Sequence, residues 1–554
     1  MVQPGPTPKA GTEAASAWSF HPGHQAAVDR RRRIIVQNDA VGGEPSPLTM
    51  DAEDWKAFGF QYFDQPNSQV DSIWWDCGVI PGAMYPTALL ASQGPAEKQA
   101  GLDWSKPIKD AGADWLAIFV EETHRRGLEV FWHFRISEVD IRPAGAPIDL
   151  PNPIKAAHPD WLIKTWWWQG MWNLAVPEVR AFKVAKVREL ADRYDFDGFQ
   201  IDFHRHIPVL PVGRQWELRD SVTEFMRQVR ETLLEVSAAK DKPILLSAKV
   251  PRSLEVCRAD GFDVVRWVQE GLVDMLTLGS RSYDVDIEGY RAALGPSVKL
   301  YPCLDDHHAS DAYQHPPVEV FRGVASSWWR RGADGIETFN WYGAPPEVYA
   351  EYGVRGGPES QQTAYREIGS VETLNGKSKV FPVERRGGYP WAEGGSGQNL
   401  HAQLPLKLAY DGRPSDVTLY CAEDLKEAPE GKRDVSLRMT VFGSEPGDRL
   451  EVKLNGRLLS EGAFDYDWKD PKIFSPLPQP PSGGYGHREV DPEQRLLLVT
   501  YDVAPDNVTL GDNTVSISVT VQASPYRGRT TSSVTRQLQV EKVELHVIFE
   551  DEAV

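Results

Sequence analysis

The segment FDGFQIDFHRH at residues 196–206 offers the clearest chemistry in this chain, because it ends an apolar strand with a carboxylate, Asp202, and two imidazoles, His204 and His206. Period-two alternation along a strand would turn Gln200, Asp202 and His204 to one face and the intervening apolar residues to the other. A strand with an apolar back and acid and imidazole in front predicts the floor of an active site. The alternative is a half-exposed edge strand with a solvated polar face.

Apolar strands alternate with amphipathic helices from residue 34 to about 343. Eight alternating units of about 40 residues indicate an α/β protein whose parallel sheet closes into a (β/α)8 TIM barrel. The predicted strands span 34–38, 72–77, 129–136, 198–203, 244–250, 275–278, 299–304 and 335–340. Four of the intervening helices are predicted at 114–127, 177–195, 219–240 and 316–332.

Polar residues cluster near the carboxyl ends of these strands, where such barrels place their sites. Stability gives no reason to collect charge there, because each unpaired buried ion costs several kcal/mol. Clustered titratable groups therefore predict a catalytic site at this end of the barrel. The residues are Asp39, Asp76, His133, Arg135, Glu138, Asp202, His204, His206, Ser247, Lys249, Ser280, Arg281, Asp305, Asp306, His307, His308, Glu337, Asn340 and Trp341.

Composition limits the partners of the chain. It has 554 residues, of which 41% are hydrophobic, enough for one large domain and a smaller one. With 60 basic and 79 acidic residues the net charge is −19, which opposes binding to nucleic acid or anionic lipid. No run approaches the roughly 18 apolar residues of a membrane span. The four cysteines form neither a CxxC metal motif nor a disulfide framework.

Tryptophan is abundant, with 19 residues that often occur in clusters. Indole faces stack well on the C–H face of a sugar ring, so clustered tryptophans suit a carbohydrate ligand. The segment from Trp166 to Trp172 is predicted to contact ligand, and Trp341 follows a barrel strand. The alternative is that most of these rings belong to the core.

Three segments of the central barrel resemble the family-10-like glycosyl hydrolases of bacteria: HPDWLIK at 158–164, MWNLAVPEVRAF at 171–182 and RYDFDGFQIDFHRH at 193–206. The last segment is also similar to the fourth barrel strand of the α-amylase and α-galactosidase clans, where the acid at the position of Asp202 is the nucleophile. The resemblance implies a glycoside hydrolase with a carbohydrate substrate and no required cofactor or metal. It assigns no second catalytic residue, because the fifth strand, ILLSAKVP, lacks the acid of α-amylase-like enzymes.

Cleavage of a glycoside usually needs two carboxyl groups, about 5 to 5.5 Å apart for retention and about 6.5 to 9.5 Å apart for inversion. With Asp202 as the first, the candidates for the second are Glu337, then Asp306 or Asp305, with Glu138 and Asp284 behind them. Burial of Glu337 in the strand GIETFNW would raise its pKa and suit it to be the acid. The alternative for Glu337 is a buried structural acid paired with an arginine.

The remaining polar groups at the mouth are predicted to bind substrate. His133 and Arg135 share a strand face and would hold sugar hydroxyls or a carboxylate, while His204 would orient Asp202. The predicted binding residues are Asp39, Asp76, His133, Arg135, Trp172, His204, His206, Lys249, Asp305, His307 and Trp341.

Two other classes of function remain open. His204 and His206, together with the DDHH string at 305–308, are ligand types for Zn, Mn or Fe, so a metal-dependent hydrolase, isomerase or lyase is one alternative. Strands four and seven lie nearly across the barrel from each other, which makes one shared ion difficult. A non-catalytic sugar-binding barrel is the other alternative, and there Asp202 would have no carboxylate within about 10 Å.

The chain divides into a flexible tail at 1–20, the catalytic barrel at 21–375, a linker or first sandwich strand at 376–400, and an antiparallel β-sandwich at 401–554. RLEVKLNGRLL and TLGDNTVSISV resemble the jelly-roll accessory domains of polysaccharide enzymes. Few aromatic residues point outward there, which favours a role in bracing the barrel. Exported enzymes of this build carry a signal segment, so a periplasmic or extracellular location is expected, or a cytoplasmic one if the chain is native at full length.

Overall fold

The computed structural model describes most of the barrel and the sandwich. The described residues are 18–39, 53, 56, 59–60, 64–76, 114–137, 153–165, 167, 169–279, 281–305, 311–313, 316–339, 341, 358–386, 401–426, 433–474, 494–523, 526–527 and 534–549. The predicted tail at 1–20 lies almost wholly outside them. Among the described helices, none combines the length and the apolar character needed to cross a membrane.

Eight parallel strands form a closed barrel, which confirms the predicted fold. The ring closes where the first strand pairs with the last, with Ile34 opposite Ile336. Every strand lies within two residues of its predicted bounds, because alternation of buried side chains is a local property of extended backbone. The strands are β1 (Ile34–Asp39), β2 (Val70–Asp76), β3 (Glu129–Arg135), β4 (Gly198–Asp202), β5 (Leu245–Val250), β6 (Met275–Leu278), β7 (Lys299–Asp305) and β8 (Ile336–Phe339).

Helices follow the strands and cover the outside of the barrel. The four predicted helices correspond to α2 (Trp115–Arg125), α4 (Pro177–Arg193), α5 (Arg219–Lys240) and α9 (Val318–Arg330). Two of them start as their sequences favour: the Asp114 side chain caps α2 by accepting from the Ala117 amide, and Pro177 opens α4. The described helices of five residues or more are α1 (His24–Val28), α2 (Trp115–Arg125), α3 (Pro153–Ala157), α4 (Pro177–Arg193), α5 (Arg219–Lys240), α6 (Leu254–Asp260), α7 (Val264–Gln269), α8 (Ile287–Leu294), α9 (Val318–Arg330) and α10 (Pro358–Glu367).

The core has two layers. The main one lies between barrel and helices and contains Phe199, Ile201 and Phe203, as the alternation in β4 predicts. The second lies inside the barrel, where Trp74 stacks on Phe131 with ring centroids 4.7 Å apart. Only a glycine fits at position 198, because a Cβ there would stand 2.4 Å from the Phe131 ring. The barrel strands are packed on both sides by these layers, and their carboxyl ends hold the candidate site.

A two-sheet β-sandwich follows the barrel, and its first strand begins at Lys379, inside the region predicted as linker or first strand. Its sheets run in the orders β9-β16-β11-β14-β13 and β10-β15-β12, around one apolar core. Helix α9 crosses β9 so closely that a Cβ on Gly323 would meet the Val380 carbonyl oxygen at 1.9 Å. The longer strands are β9 (Lys379–Pro382), β10 (Ser415–Cys421), β11 (Arg433–Phe442), β12 (Arg449–Leu454), β13 (Gly462–Trp468), β14 (Leu496–Asp502), β15 (Gly511–Val521) and β16 (Gln539–Phe549).

Candidate active site

Asp202 is the last residue of β4 and is 1% exposed. Its Oδ1 accepts hydrogen bonds from the backbone amides of His204, at 2.8 Å, and Arg205, at 2.9 Å. Aspartate commonly ends a strand in this way, because its short side chain satisfies amides two and three residues on. The extended strand ends at Asp202, so the alternation that placed His204 on the face of Gln200 and Asp202 does not extend to it, and that placement stays a prediction.

The other oxygen of Asp202 faces His133 of β3, whose Nε2 lies 3.1 Å from Oδ2, with both side chains fully buried. The second ring nitrogen of His133, Nδ1, contacts Oε1 of Gln200. The amide nitrogen of Gln200 donates to Thr277 and Glu337, so its oxygen is free to accept. One imidazole nitrogen thus faces an amide oxygen and the other a carboxylate oxygen, so both ring nitrogens lie next to acceptor atoms.

The surroundings of Asp202 favour its ionised form. Burial opposes the charge, but the hydrogen bond and charge of His133, the charge of Lys249 and the His204 amide together hold the pKa of Asp202 well below its usual range. An ionised carboxylate at neutral pH is suited to act as a nucleophile or a base, and not as a proton donor.

The imidazole of His204 does not orient Asp202, contrary to the prediction. Only its backbone amide reaches the carboxylate, and His133 takes the predicted role. Burial, together with the charges of Lys249 and Arg281, lowers the pKa of His204 to about 4, so the ring is neutral at pH 7. Burial also moves the pKa of His206 well below its usual value.

Glu337 of β8 is fully buried and both its oxygens accept hydrogen bonds. Lys249 donates to Oε1 at 2.7 Å, while Thr277, at 2.8 Å, and Gln200, at 3.0 Å, donate to Oε2. The arrangement suits a carboxylate better than a proton donor. These contacts agree with the alternative in which Glu337 is a buried structural acid, although its basic partner is Lys249 and not an arginine. Gln200 links this pair to His133 and Asp202.

Two further buried ion pairs lie at the carboxyl ends of the strands. Arg135 Nε lies 2.7 Å from Asp76 Oδ2, and Arg281 Nε lies 3.0 Å from Asp305 Oδ2. All four side chains are 7% exposed or less. Each acid at this end that the structure describes therefore has a basic partner, which is the condition under which buried charge is tolerated.

The two predicted aromatic contacts, Trp172 and Trp341, are 2% and 3% exposed. Lys183 Nζ lies 4.7 Å from the Trp172 ring centroid, and Trp341 packs on Phe321 with centroids 4.4 Å apart. Both rings are thus covered by protein in this structure, and their contact with a sugar stays a prediction. Several predicted residues or side chains lie outside the described part: the Asp39 side chain, Glu138, Trp166, Trp168, Ser280, Asp306, His307, His308 and Asn340.

Sequence reasoning gave no role to three residues that contribute to the site. Gln200 shares the polar face of β4 with Asp202, and that alternation was the available signal. Thr277 lies in an apolar strand, and no sequence feature marks it. The Phe339 ring makes cation–π contacts with Lys249 and Arg205, whose charged groups lie 4.3 and 4.7 Å from the ring centroid.

Within the described ranges, no three His, Cys, Asp or Glu side chains come together in a way that could hold a metal ion. Asp306, His307 and His308 fall outside those ranges, so the metal-dependent alternative is not tested and stays a hypothesis.

Comparison with known proteins agrees with the resemblance seen in the motifs. A protein of Bacillus subtilis (strain 168), "Glycosyl hydrolase YngK", is 24% identical in an alignment of 254 residues that covers 39% of this chain. The alignment spans 46% of that relative, about half its length. The glycoside hydrolase domain of PgaB (BpsB) from Bordetella bronchiseptica aligns with 62% of this chain and 99% of its own, at 12% identity and a TM-score of 0.39.

α-L-Fucosidase isoenzyme 2 from Paenibacillus thiaminolyticus aligns with 61% of this chain and 48% of its own, at 14% identity and a TM-score of 0.36. A family model matches residues 81–215, a region that contains both His133 and Asp202. This region of the chain is therefore similar to the family described as Glycosyl hydrolase-like 10, and the resemblance to bacterial glycosyl hydrolases that its motifs indicated is confirmed.

Proposed function

We propose that this protein is a glycoside hydrolase that cleaves an oligosaccharide or polysaccharide by two-carboxylate catalysis, with Asp202 as the ionised member of the pair. The observation that carries the proposal is the buried Asp202 carboxylate, held by His133 and two backbone amides at the carboxyl end of a barrel strand. Both residues lie inside the region that matches the hydrolase family.

In this reaction Asp202 attacks the anomeric carbon, or activates the water that does so, while a second carboxyl group protonates the leaving oxygen. His133 keeps Asp202 ionised and fixes the direction of Oδ2. The oxocarbenium-like transition state gains from a nearby negative charge. Asp202 thus supplies charge where positive charge develops, and this role needs no cofactor.

The contacts of Glu337 bear on the choice of the second carboxyl group. Protonation of Glu337 would leave the buried Lys249 cation without its anion, at a cost of several kcal/mol. We therefore place Asp306, which directly follows β7, ahead of Glu337 as the proton donor. Glu337 then serves to hold Lys249, whose charge helps to keep Asp202 ionised.

A panel of polysaccharides and aryl glycosides, assayed for released reducing sugar or phenol, tests the activity. Asp202→Asn keeps the size and an acceptor oxygen but removes the charge, so we expect a loss of at least about 1000-fold in kcat/KM. Asp241→Asn, at a side chain that is 99% exposed, is the matched control and retains full activity. Equal rates for wild type and Asp202→Asn would remove Asp202 from the mechanism.

Substrates with different leaving groups identify the second acid. The 2,4-dinitrophenolate group of an aryl glycoside leaves without protonation, whereas the hydroxyl group of a sugar must be protonated as it leaves. Asp306→Asn is expected to retain most of its activity on the activated glycoside and to lose it on the natural type of bond. If Glu337→Gln shows this pattern and Asp306→Asn does not, Glu337 is the acid.

The carbohydrate partner and the location follow from the same proposal. A hydrolase that takes polysaccharide meets its substrate outside the cytoplasm, so we propose a periplasmic or extracellular location. Detection of the native protein in culture medium or periplasmic extract, against a cytoplasmic marker, tests it; recovery only with the cytoplasmic marker would contradict it.

A further inference from the structure

The ion pair between Arg281 and Asp305 joins two segments at the carboxyl end of the barrel. Arg281 follows β6, and Asp305 is the last residue of β7. The charge of Arg281 also acts on the imidazoles of His204 and His206, the residues just past Asp202. The position of this pair therefore affects the electrostatics of the candidate site.

A sandwich-side carboxylate holds the segment after β6. Glu384, two residues past β9 and 5% exposed, accepts through Oε2 from the Ser282 hydroxyl at 2.8 Å and from the Asp284 amide at 3.0 Å. Ser282 is the neighbour of Arg281 in sequence. The Asp284 amide thus bonds to a residue 100 positions away, and the Ser282 hydroxyl shares its proton between that residue and the Asp284 carbonyl oxygen, at 3.2 Å.

A second carboxylate of the sandwich contacts the described residues 311–313, which follow β7 in the chain. The Tyr313 hydroxyl donates to Glu544 Oε1 of β16 at 2.9 Å, and Lys542 Nζ lies 4.6 Å from the centroid of the Tyr313 ring. Ala312 belongs to a small apolar cluster with Ile473 and Leu496 of the sandwich. Three kinds of contact therefore join this segment to the outer face of the larger sheet.

The charge states agree with these contacts. Burial and the neighbouring Glu544 raise the pKa of Tyr313 well above its usual value, so the phenol remains a donor. Burial opposes the charge of Glu544, but His546 and Lys542 lower its pKa to about 2, so it remains an acceptor. The Tyr313–Glu544 bond is thus retained across the pH range in which enzymes work.

We propose that Glu384 and Glu544 of the sandwich are positioning residues of the candidate active site, which set the segments after β6 and β7 and through them the Arg281–Asp305 pair. The sandwich is then part of the site's construction and not only a brace for the outside of the barrel. This inference rests on the proposed hydrolase function for its catalytic consequence, although the positioning itself can be measured without a substrate.

Three variants of the full chain test the positioning. Tyr313→Phe removes the bond to Glu544, and Glu384→Ala removes the acceptor of the Asp284 amide and one of the two acceptors of the Ser282 hydroxyl. Glu384→Gln keeps an acceptor oxygen and is the conservative variant expected to restore the wild-type behaviour. Tyr410→Phe is the matched control, because its hydroxyl bonds only to the backbone of Arg536 and Leu538, within the sandwich.

Hydrogen exchange followed by mass spectrometry gives the first readout. We expect exchange to be at least 5-fold faster in peptides covering 281–286 for Glu384→Ala and 311–313 for Tyr313→Phe, with little change for Glu384→Gln or Tyr410→Phe. The steady-state constants give the second readout: kcat on a cleaved glycan falls at least 5-fold in the first two variants, while the melting temperature falls no further than in Tyr410→Phe.

The outcomes separate the two proposals. Unchanged exchange in both peptides would overturn the positioning role, whatever the activity of the protein. Faster exchange with unchanged kcat would show that the segments are held but do not serve the site, and would also overturn it. A wild type inactive on every glycan would count against the hydrolase function, while faster exchange would still support the role of the sandwich in holding these segments.

Discussion

His133 Nε2 lies 3.1 Å from Asp202 Oδ2, with both side chains buried at the carboxyl ends of neighbouring strands. The opposite nitrogen of the imidazole is held by Gln200, so the ring cannot turn without breaking a second contact. One oxygen of Asp202 therefore accepts from two backbone amides, and the other faces the His133 ring. This geometry makes its charge and its direction depend on residues of two strands.

Replacing His133 should shift the acidic limb of the pH–activity profile. In His133→Gln the charge that lowers the pKa of Asp202 is gone, so that pKa rises and the carboxylate becomes protonated at a higher pH. Activity that needs ionised Asp202 is then lost earlier as the pH falls. The measurement is kcat/KM from pH 3 to 9; an unmoved acidic limb, with normal folding by circular dichroism, would contradict the assignment.

Removing Lys249 should destabilise the barrel, because Glu337 would remain buried and charged without its partner. We expect Lys249→Met to lower the free energy of unfolding by about 3 to 5 kcal/mol. Adding Glu337→Gln should recover part of this loss. Urea unfolding followed by tryptophan fluorescence measures it, and Lys453→Met, at a side chain 42% exposed, should change it by less than about 0.5 kcal/mol. Equal losses for the two lysines would disprove the pairing argument.

Glu384 should make stability fall as the pH rises. Burial first, then the charge of Asp284, raises the pKa of Glu384 to about 7 against opposing effects of Arg252 and Ser282. Between the unfolded value near 4.5 and the folded value near 7 the folded protein binds more protons. Ionisation of Glu384 therefore removes at most about 3 kcal/mol of stability from pH 4.5 to pH 8.

The comparison with Glu384→Gln isolates this effect, since glutamine does not titrate. The difference in melting temperature between variant and wild type should increase in favour of the variant from pH 5 to pH 8. A difference that stays constant over this range would show that Glu384 does not change its protonation there.

Gly323 should be intolerant of a side chain, because α9 crosses β9 at that point. A Cβ would approach the Val380 carbonyl oxygen to 1.9 Å, so Gly323→Ala must separate helix and strand. We expect a loss of about 1 to 3 kcal/mol or more, measured by thermal unfolding. Ser326→Ala on the same helix is the control, because its hydroxyl has no hydrogen-bond partner among the described residues. Similar melting temperatures for the two variants would refute the close packing.

The barrel and the role of β4 could be predicted from the sequence because their signals are local. Alternating apolar residues at 198–203 report directly which side chains face the helices, and eight such segments with helices between them leave few folds available. The identity of Asp202 as the strand-end acid came from the same pattern. Its prediction as a catalytic residue awaits the activity test.

The interaction partners could not be predicted in this way. The alternation of β4 does not extend to His204, because the strand ends at Asp202, whose side chain accepts a hydrogen bond from the His204 amide. This strand end depends on a single side chain in a single turn. The partner of Asp202 proved to be His133, 69 positions earlier, on the neighbouring strand. Burial alone suggested a protonated Glu337, and only its contact with Lys249 showed a group arranged as a carboxylate.

The sequence by itself determined the strands, the helices and the face of β4 that looks into the barrel, because backbone periodicity is set by neighbouring residues. The tertiary structure alone decided which charges compensate one another, since Lys249 meets Glu337 across 88 positions and Glu384 meets Ser282 across 102. Such pairs form only when the barrel closes and the sandwich packs on it. The protonation states of the buried groups follow from that closure.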